Sequence, residues 1–434
     1  MSFITLAIIG IIVLVILLFM GMNIGITMMA VGFFGVFAIR GLDPAVGVLK
    51  TIPFTYASNY SFAVIPLFIL MGQFAFHSGM SSDLFNAADK WLSRFKGGLA
   101  MATVAACAGF SAICGSTAAT AATMGVVALP EMRKYGYKDG LATGSIAAGG
   151  TLGILIPPST GFIIYGIIAE QSIGRLFAAG IIPGILLALC YILSIAVQVR
   201  IQPQIAPGTK KYPFKEMLSA LKGTLGIIIL FVAVIGGMFA NIFTANEAAG
   251  VGAALTLIMM IVKRQFTWAK FVDCLRSAVK TSGMIFLILI GAYVFGAFLA
   301  LTQLPMVLAN FVTGLDVSPY VVLLVILVLY ALLGCIMDSL AMVMLTVPIF
   351  LPIITAIGFD PIWYGVLMIM VMEMGLITPP VGMNVYIVAG VAKDVPLVEI
   401  FKGVAPMVVG MLVAVIIVCA FPQLSLWLPN LLFN

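Results

Sequence analysis

Two stretches decide the fold of this chain: Gly153-Ile-Leu-Ile-Pro-Pro-Ser159 and Gly375-Leu-Ile-Thr-Pro-Pro-Val381, each set inside a long apolar segment. Proline lacks a backbone N–H and its ring collides with the preceding turn, so a Pro-Pro pair ends one helix and begins another. Carbonyls are freed on its N-terminal side, where a cation such as Na⁺ can bind, and a helix N-terminus that attracts anions opens on the other side. The pairs lie 222 positions apart, 157 against 379. Helices broken at corresponding places at membrane depth are how secondary transporters build a binding site.

Composition puts these breaks in a bilayer. Of 434 residues, 63% are hydrophobic and only 8% charged, with a mean hydropathy of +1.25. A soluble domain is roughly half apolar and a quarter charged. Residues 3–20, 176–197, 223–240 and 404–421 each approach the ~20 residues that cross a hydrocarbon core. The expected class is an all-α polytopic membrane protein, with residues 1–434 forming a single integral unit. The net charge of +6 fits cationic cytoplasmic loops better than nucleic-acid binding. Six cysteines form no CxxC and read as free thiols, and a single histidine, His77, excludes a histidine metal cluster. Met1-Ser2-Phe3-Ile4 has no basic n-region and no cleavage site follows, so residues 3–20 read as a retained first helix. With no GxxxxGK[ST], no Ser-His-Asp set and no metal-ligand cluster, an enzyme is not expected. Energy for uphill transport would come from an ion gradient or another subunit.

Sliding the chain by 222 aligns more than the prolines. Leu129-Pro130 meets Leu351-Pro352, Gly136 meets Gly358, Gly153 meets Gly375, and Ser116 meets Asp338. The matches are chiefly the Gly and Pro that punctuate helices, which argues for a structural repeat. Lys90, Arg94, Lys96 and Arg133, Lys134, Lys138 flank the first copy, whereas Asp316 and Asp360 flank the second. By the positive-inside rule the flanks face opposite sides, so the repeat is inverted. Lys96 and Arg133 enclose 36 residues, too few for two spans, with like charges at both ends. A re-entrant helical hairpin with its tip near Gly115–Thr117 satisfies both constraints, and its counterpart has its tip near Met337-Asp338-Ser339. Threading the chain this way puts both termini outside and leaves 18 of 21 Lys and Arg inside, with Arg40, Lys50 and Arg175 the exceptions. Trp91, Trp268, Trp363 and Trp427 fall at segment ends, where indoles seek the interface. Residues 44–58 and 266–280 read as corresponding interfacial helices or loops.

Two hairpin tips and two broken helices should converge. The candidate substrate and ion residues are Gly115, Ser116, Thr117, Pro157, Pro158, Ser159, Asp338, Ser339, Thr378, Pro379, Pro380 and Asn384. Na⁺ is placed near Gly115, Ser116, Pro157, Asp338, Thr378 and Pro379. A bare kink is the structural alternative for each Pro-Pro pair, and an N-cap is the alternative for Asp338 and Ser116. A carboxylate at membrane depth is costly, which favours function for Asp338. Glu247 reads as part of a capping box, Thr244-Ala-Asn-Glu247. Glu170 falls near the outer surface, and Glu373, about one and a half turns before the second break, is a candidate for lining the cavity. The run 118–122 reads as close helix packing.

Phe110-Ser-Ala-Ile-Cys-Gly-Ser-Thr117, Gly153-Ile-Leu-Ile-Pro-Pro-Ser159 and Gly375-Leu-Ile-Thr-Pro-Pro-Val-Gly-Met-Asn384 resemble the large membrane subunit of tripartite ATP-independent periplasmic (TRAP) transporters, over essentially the whole chain. The resemblance implies residence in the bacterial inner membrane with periplasmic termini. It also implies a small four-helix membrane subunit, a soluble periplasmic substrate-binding protein, and Na⁺-coupled import of carboxylates by an elevator mechanism. Sialic acid is the first substrate expected, with C4-dicarboxylates or a self-sufficient Na⁺/dicarboxylate carrier as alternatives. A membrane-enzyme subunit or a channel would be a different class. Residues 1–96 are expected as first-repeat scaffold and arm helices, and 97–175 as its hairpin and broken helix. Residues 176–317 are read as connecting helix, cytoplasmic loop and second scaffold, 318–395 as the second transport elements, and 396–434 as the C-terminal helix.

Overall fold

The computed structural model describes residues 2–207, 209, 211–314 and 317–433. Asp316, one of the charges used to orient the second hairpin, lies outside them. The first repeat comprises α1 (Phe3–Phe19), α2 (Ile24–Arg40), α3 (Leu42–Ala57), α4 (Val64–His77), α5 (Met80–Leu92), α6 (Gly98–Cys114), α7 (Thr117–Lys134), α8 (Asp139–Gly150), α9 (Leu152–Leu155), α10 (Thr160–Ile168) and α11 (Ile173–Ile201). The second comprises α12 (Phe214–Phe231), α13 (Gly237–Phe239), α14 (Ala245–Val262), α15 (Trp268–Thr302), α16 (Leu304–Thr313), α17 (Pro319–Gly334), α18 (Ser339–Ala356), α19 (Pro361–Gly375), α20 (Met383–Val391) and α21 (Leu397–Ala420), followed by α22 (Gln423–Leu432). A shift of 222 lays α7 on α18 with both ends matching, and α10 on α20 within one residue. Eight helical segments of the described residues are long and apolar enough to cross a membrane.

The two halves complete each other. Helix α2 packs along α15, and its counterpart α14 packs along α4; α8 packs on α21 as α19 packs on α11. Small residues permit the closest of these approaches, since dispersion between near backbones drives helix association in lipid. A Cβ on Gly403 of α21 would lie 1.8 Å from the Gly140 carbonyl oxygen of α8. Gly403→Leu is therefore expected to prevent accumulation of folded protein, read as loss of the monodisperse peak in detergent gel filtration. Gly47→Ala, with nothing within 4 Å of its Cβ, should leave that peak unchanged.

Two expectations change in the structure. Residues 44–58 do fall in a separate helix, α3, but the matching residues 266–280 run straight into the 35-residue α15. The first copy carries Pro53 and stops at Ser58, where Asn59 caps a short 3₁₀ turn; the second copy has no proline to break it. Trp363 is not interfacial. It is 1% exposed, and its indole N–H donates to the Val418 carbonyl at 2.9 Å. Helix α19 is enclosed by protein from its first turn, so a position at a segment end does not bring Trp363 to lipid. Trp268 and Trp427 remain exposed.

Polar anchors fasten the base of the first hairpin. Arg133 at the end of α7 pairs with Asp139 at 2.7 Å and Asp394 at 2.8 Å, which ties α7 to the start of α8 and to the turn after α20. The guanidinium holds the Asp394 carboxyl below the usual carboxylate range, so this pairing persists at neutral pH and is lost as acid protonates Asp394. Thr244 and Glu247 form the expected capping box, and Glu170 is exposed.

Candidate substrate and ion site

Each hairpin tip is shaped by its own turn chemistry. Gly115 ends α6 in the left-handed region, φ 61°, which glycine adopts without steric cost. Ser116 is extended and caps α7, its hydroxyl accepting the Ala119 N–H at 3.4 Å. At the second tip Asp338 caps α18, its carboxylate accepting the Leu340 N–H at 3.1 Å. Both capping readings are thus realised, and both capping side chains also face a common cavity.

Each tip is held by a broken helix. Thr160, the first residue of α10, donates to the Gly115 carbonyl from its hydroxyl at 2.8 Å and from its N–H at 3.3 Å. Ser159 caps α10 by accepting the Phe162 N–H at 3.2 Å, and its hydroxyl donates to the Ile154 carbonyl. At the second break the Thr378 hydroxyl donates to Met374 O at 2.7 Å, and the Asn384 N–H donates to Leu376 O at 3.0 Å. Several carbonyls released by the prolines are therefore taken up locally. The Asn384 side-chain amide crosses to Ala147 O in α8 at 3.3 Å and links the two repeats.

Between the tips lies a cavity of about 60 Å³ whose polar wall is Ser116, Thr117, Thr160, Asp338, Ser339 and Asn384. The first turns of four helices, α7, α10, α18 and α20, meet there. Helix N-termini carry partial positive charge and favour an anion. Among the described residues the wall has one carboxylate, four hydroxyls from Ser116, Thr117, Thr160 and Ser339, one amide, and no Lys, Arg or His. Of the residues expected from sequence, Ser116, Thr117, Asp338, Ser339 and Asn384 come together on this wall. Gly115, Pro158 and Ser159 form the layer behind the first tip, with Pro157 buried beside them. Thr378, Pro379 and Pro380 lie off the wall, and both prolines are exposed.

A family model described as the DctM component of tripartite ATP-independent periplasmic transporters matches residues 11–424. The chain belongs to this family. It is 35% identical to the C4-dicarboxylate TRAP transporter large permease protein DctM of Pseudomonas aeruginosa, over 87% of this chain and 88% of that one. It is 32% identical to the sialic acid TRAP transporter large permease protein SiaM of Vibrio cholerae, over 96% of both chains. The solved YdaH transporter of Alcanivorax borkumensis superposes with a TM-score of 0.61 at 16% identity, covering 89% of each chain, and so shares the fold. The protein is a multi-pass transporter permease subunit, not an enzyme.

Within this permease, Glu373 does not line the cavity but stands behind it. It is fully buried in α19, off the cavity wall, and accepts the Thr117 hydroxyl at 2.8 Å and the Ser339 hydroxyl at 2.9 Å. Its orientation could not be read from the sequence because consecutive α19 residues from Ile362 to Glu373 are all buried, so no polar face betrays a direction. The available signal was a lone acid in an apolar helix just before the break.

The two halves of the permease are also unequally covered. Ala118, Val126 and Pro130 form an exposed stripe on α7, while their counterparts Leu340, Pro348 and Pro352 on α18 are half-buried. Pro379, Pro380, Val381 and Tyr386 are exposed, whereas Pro157, Pro158, Ser159 and Ile164 are buried. Helix α18 is covered by α16 and α10, whereas α7 and its neighbour α20 leave a face open. Within the run 118–122, Ala121 packs closely against Gly150 and Thr120 is buried, whereas Ala118 is exposed.

Proposed function

We propose that this permease imports a carboxylate together with Na⁺, and that a displacement of the elevator kind exposes the site alternately to the two sides of the membrane. The convergence of four helix N-termini on an acidic, oxygen-lined cavity carries the reading. The N-termini suit a carboxylate, while Asp338 and the hydroxyl oxygens suit a hard monovalent cation. The donor set fits Na⁺: it is oxygen-rich and holds no competing basic side chain. A volume of about 60 Å³ admits an ion or a few waters, whereas pockets for larger organic ligands run to roughly 300 Å³ and more. Substrate entry therefore requires the tips to part.

The unequal covering of pseudo-symmetric positions supports alternating access. With the α7 flank carrying the cationic, cytoplasmic loops, the open face belongs to a cytoplasm-facing state. On this reading the transport body comprises the hairpins and broken helices, residues 97–175 and 318–395. The protein resides in a bacterial inner membrane with periplasmic termini. It works with a small four-helix membrane subunit and a soluble periplasmic binding protein that delivers substrate. Sialic acid and C4-dicarboxylates both fit, and relatives named for each are similarly close to this chain.

The test is uptake into proteoliposomes holding the permease and its small membrane partner. Labelled sialic acid or succinate is supplied with and without binding protein and an inward Na⁺ gradient. Uptake that needs both additions is expected. Uptake indifferent to Na⁺ would remove the coupling, and uptake without binding protein would point to a self-sufficient carrier.

A further inference from the structure

We infer that Glu373 is the positioning residue that joins the two hairpin tips into one body and sets a second carboxylate behind the cavity that Asp338 faces. Its two carboxylate oxygens are divided between the tips: one accepts the Thr117 hydroxyl and the other accepts the Ser339 hydroxyl. Thr117 is the first residue of α7, and Ser339 is the first residue of α18, at equivalent places in the repeat. A single side chain thus spans the pseudo-symmetry axis of the site.

The first repeat has no such device. Thr151 stands where a shift of 222 would place Glu373, and its hydroxyl is engaged with Ala148 O at 2.6 Å and the Tyr191 hydroxyl at 2.8 Å. No ion pair reaches Glu373 among the described residues. A buried carboxylate requires hydrogen bonds and a counter-charge. The hydroxyls and the two adjoining helix N-termini supply the first, and a cation in the neighbouring cavity supplies the second.

The physical consequence is that neither tip can shift alone without stripping a bond from a buried anion. Once closed, the tips are therefore carried across together, and they part for substrate only by giving up a bond to this carboxylate. Cation binding at the cavity also gains from a charge that never leaves the protein.

The experiment uses the purified full chain in detergent, unfolded thermally in choline chloride and across a NaCl series. Thr117→Val and Ser339→Ala should each lower Tm by about 2 °C or more in the wild-type background and by less than about 1 °C when combined with Glu373→Leu. Equal losses with Leu at position 373 would overturn the shared role. Should Glu373→Leu fail to fold, Thr117→Val/Ser339→Ala decides the matter. A loss greater than the sum of the singles is expected, because the carboxylate is then left bare, and an additive loss overturns the proposal.

Glu373→Gln supplies the readout that a purely structural role would not move. Its amide can satisfy both hydroxyls, one as acceptor and one as donor, so Tm in choline should stay within about 2 °C of wild type. The Na⁺ concentration giving half of the Na⁺-induced rise in Tm should increase about tenfold, since a ligand bound only to the folded state raises stability by mass action. An unchanged midpoint would overturn the charge role. This arm rests on the Na⁺ reading. Absence of any Na⁺-induced rise in wild type would defeat that reading and the counter-charge with it, while the choline series still decides whether Glu373 joins the tips.

Discussion

Asp338→Asn is expected to raise the Na⁺ concentration for half-maximal uptake by roughly 10- to 1,000-fold while the protein is made and folds normally. Asparagine caps a helix about as well as aspartate, so the acceptor for the Leu340 N–H is kept and α18 still begins at Ser339. What the substitution removes is the charge facing the cavity. A unit charge about 4 Å from a cation is worth about 4 kcal/mol at an effective dielectric of 20, and about 1.4 kcal/mol is a factor of ten. The range reflects how much of that interaction the desolvation of both groups offsets. Uptake measured against a Na⁺ series in proteoliposomes, beside the thermal midpoint of the purified protein, checks it. Unchanged Na⁺ dependence would leave Asp338 as a cap and nothing more.

The second large effect is expected at Gly115. Gly115→Val should reduce the maximal uptake rate at least about 100-fold. The residue sits at φ 61°, where a side chain costs about 1–2 kcal/mol and a β-branched one more. An added Cβ would also lie 2.7 Å from the Pro158 carbonyl oxygen. Relief of that collision pulls the first tip away from the broken helix and breaks the Thr160–Gly115 bonds that seat it. Gly79→Ala separates the two causes. Gly79 has φ 78° but nothing within 4 Å of its Cβ, so it reports backbone strain without collision and should retain most of its uptake. Wild-type transport by Gly115→Val would mean that the first tip does not pack on the Pro-Pro break in the working protein.

These two positions mark what could be read directly from the chain. The hairpins, the breaks and the repeat were legible because proline and glycine act locally. Proline removes a donor wherever it stands, and glycine takes a positive φ without the steric cost that other residues meet. The bounds of α7 and α18 therefore match at a shift of 222 even though few residues are identical. The arms were less legible. Residues 44–58 and 266–280 have similar mixed polarity, and only Pro53 with the turn after Ala57 separates a short helix from the continuous α15.

The sequence by itself determined a polytopic helical protein, its family, two interrupted spans and the hairpin tips that would meet at them. Hydropathy and helix punctuation are properties of short segments, and they survive without knowledge of what packs where. Tertiary structure alone decided which groups share the cavity: Ser116, Thr117, Thr160, Asp338, Ser339 and Asn384 on its wall, and Pro379 and Pro380 exposed away from it. It alone showed that Glu373 holds both tips and that Trp363 is buried. Direction around a helix is legible only when one face is polar, and α19 is enclosed by protein along most of its length.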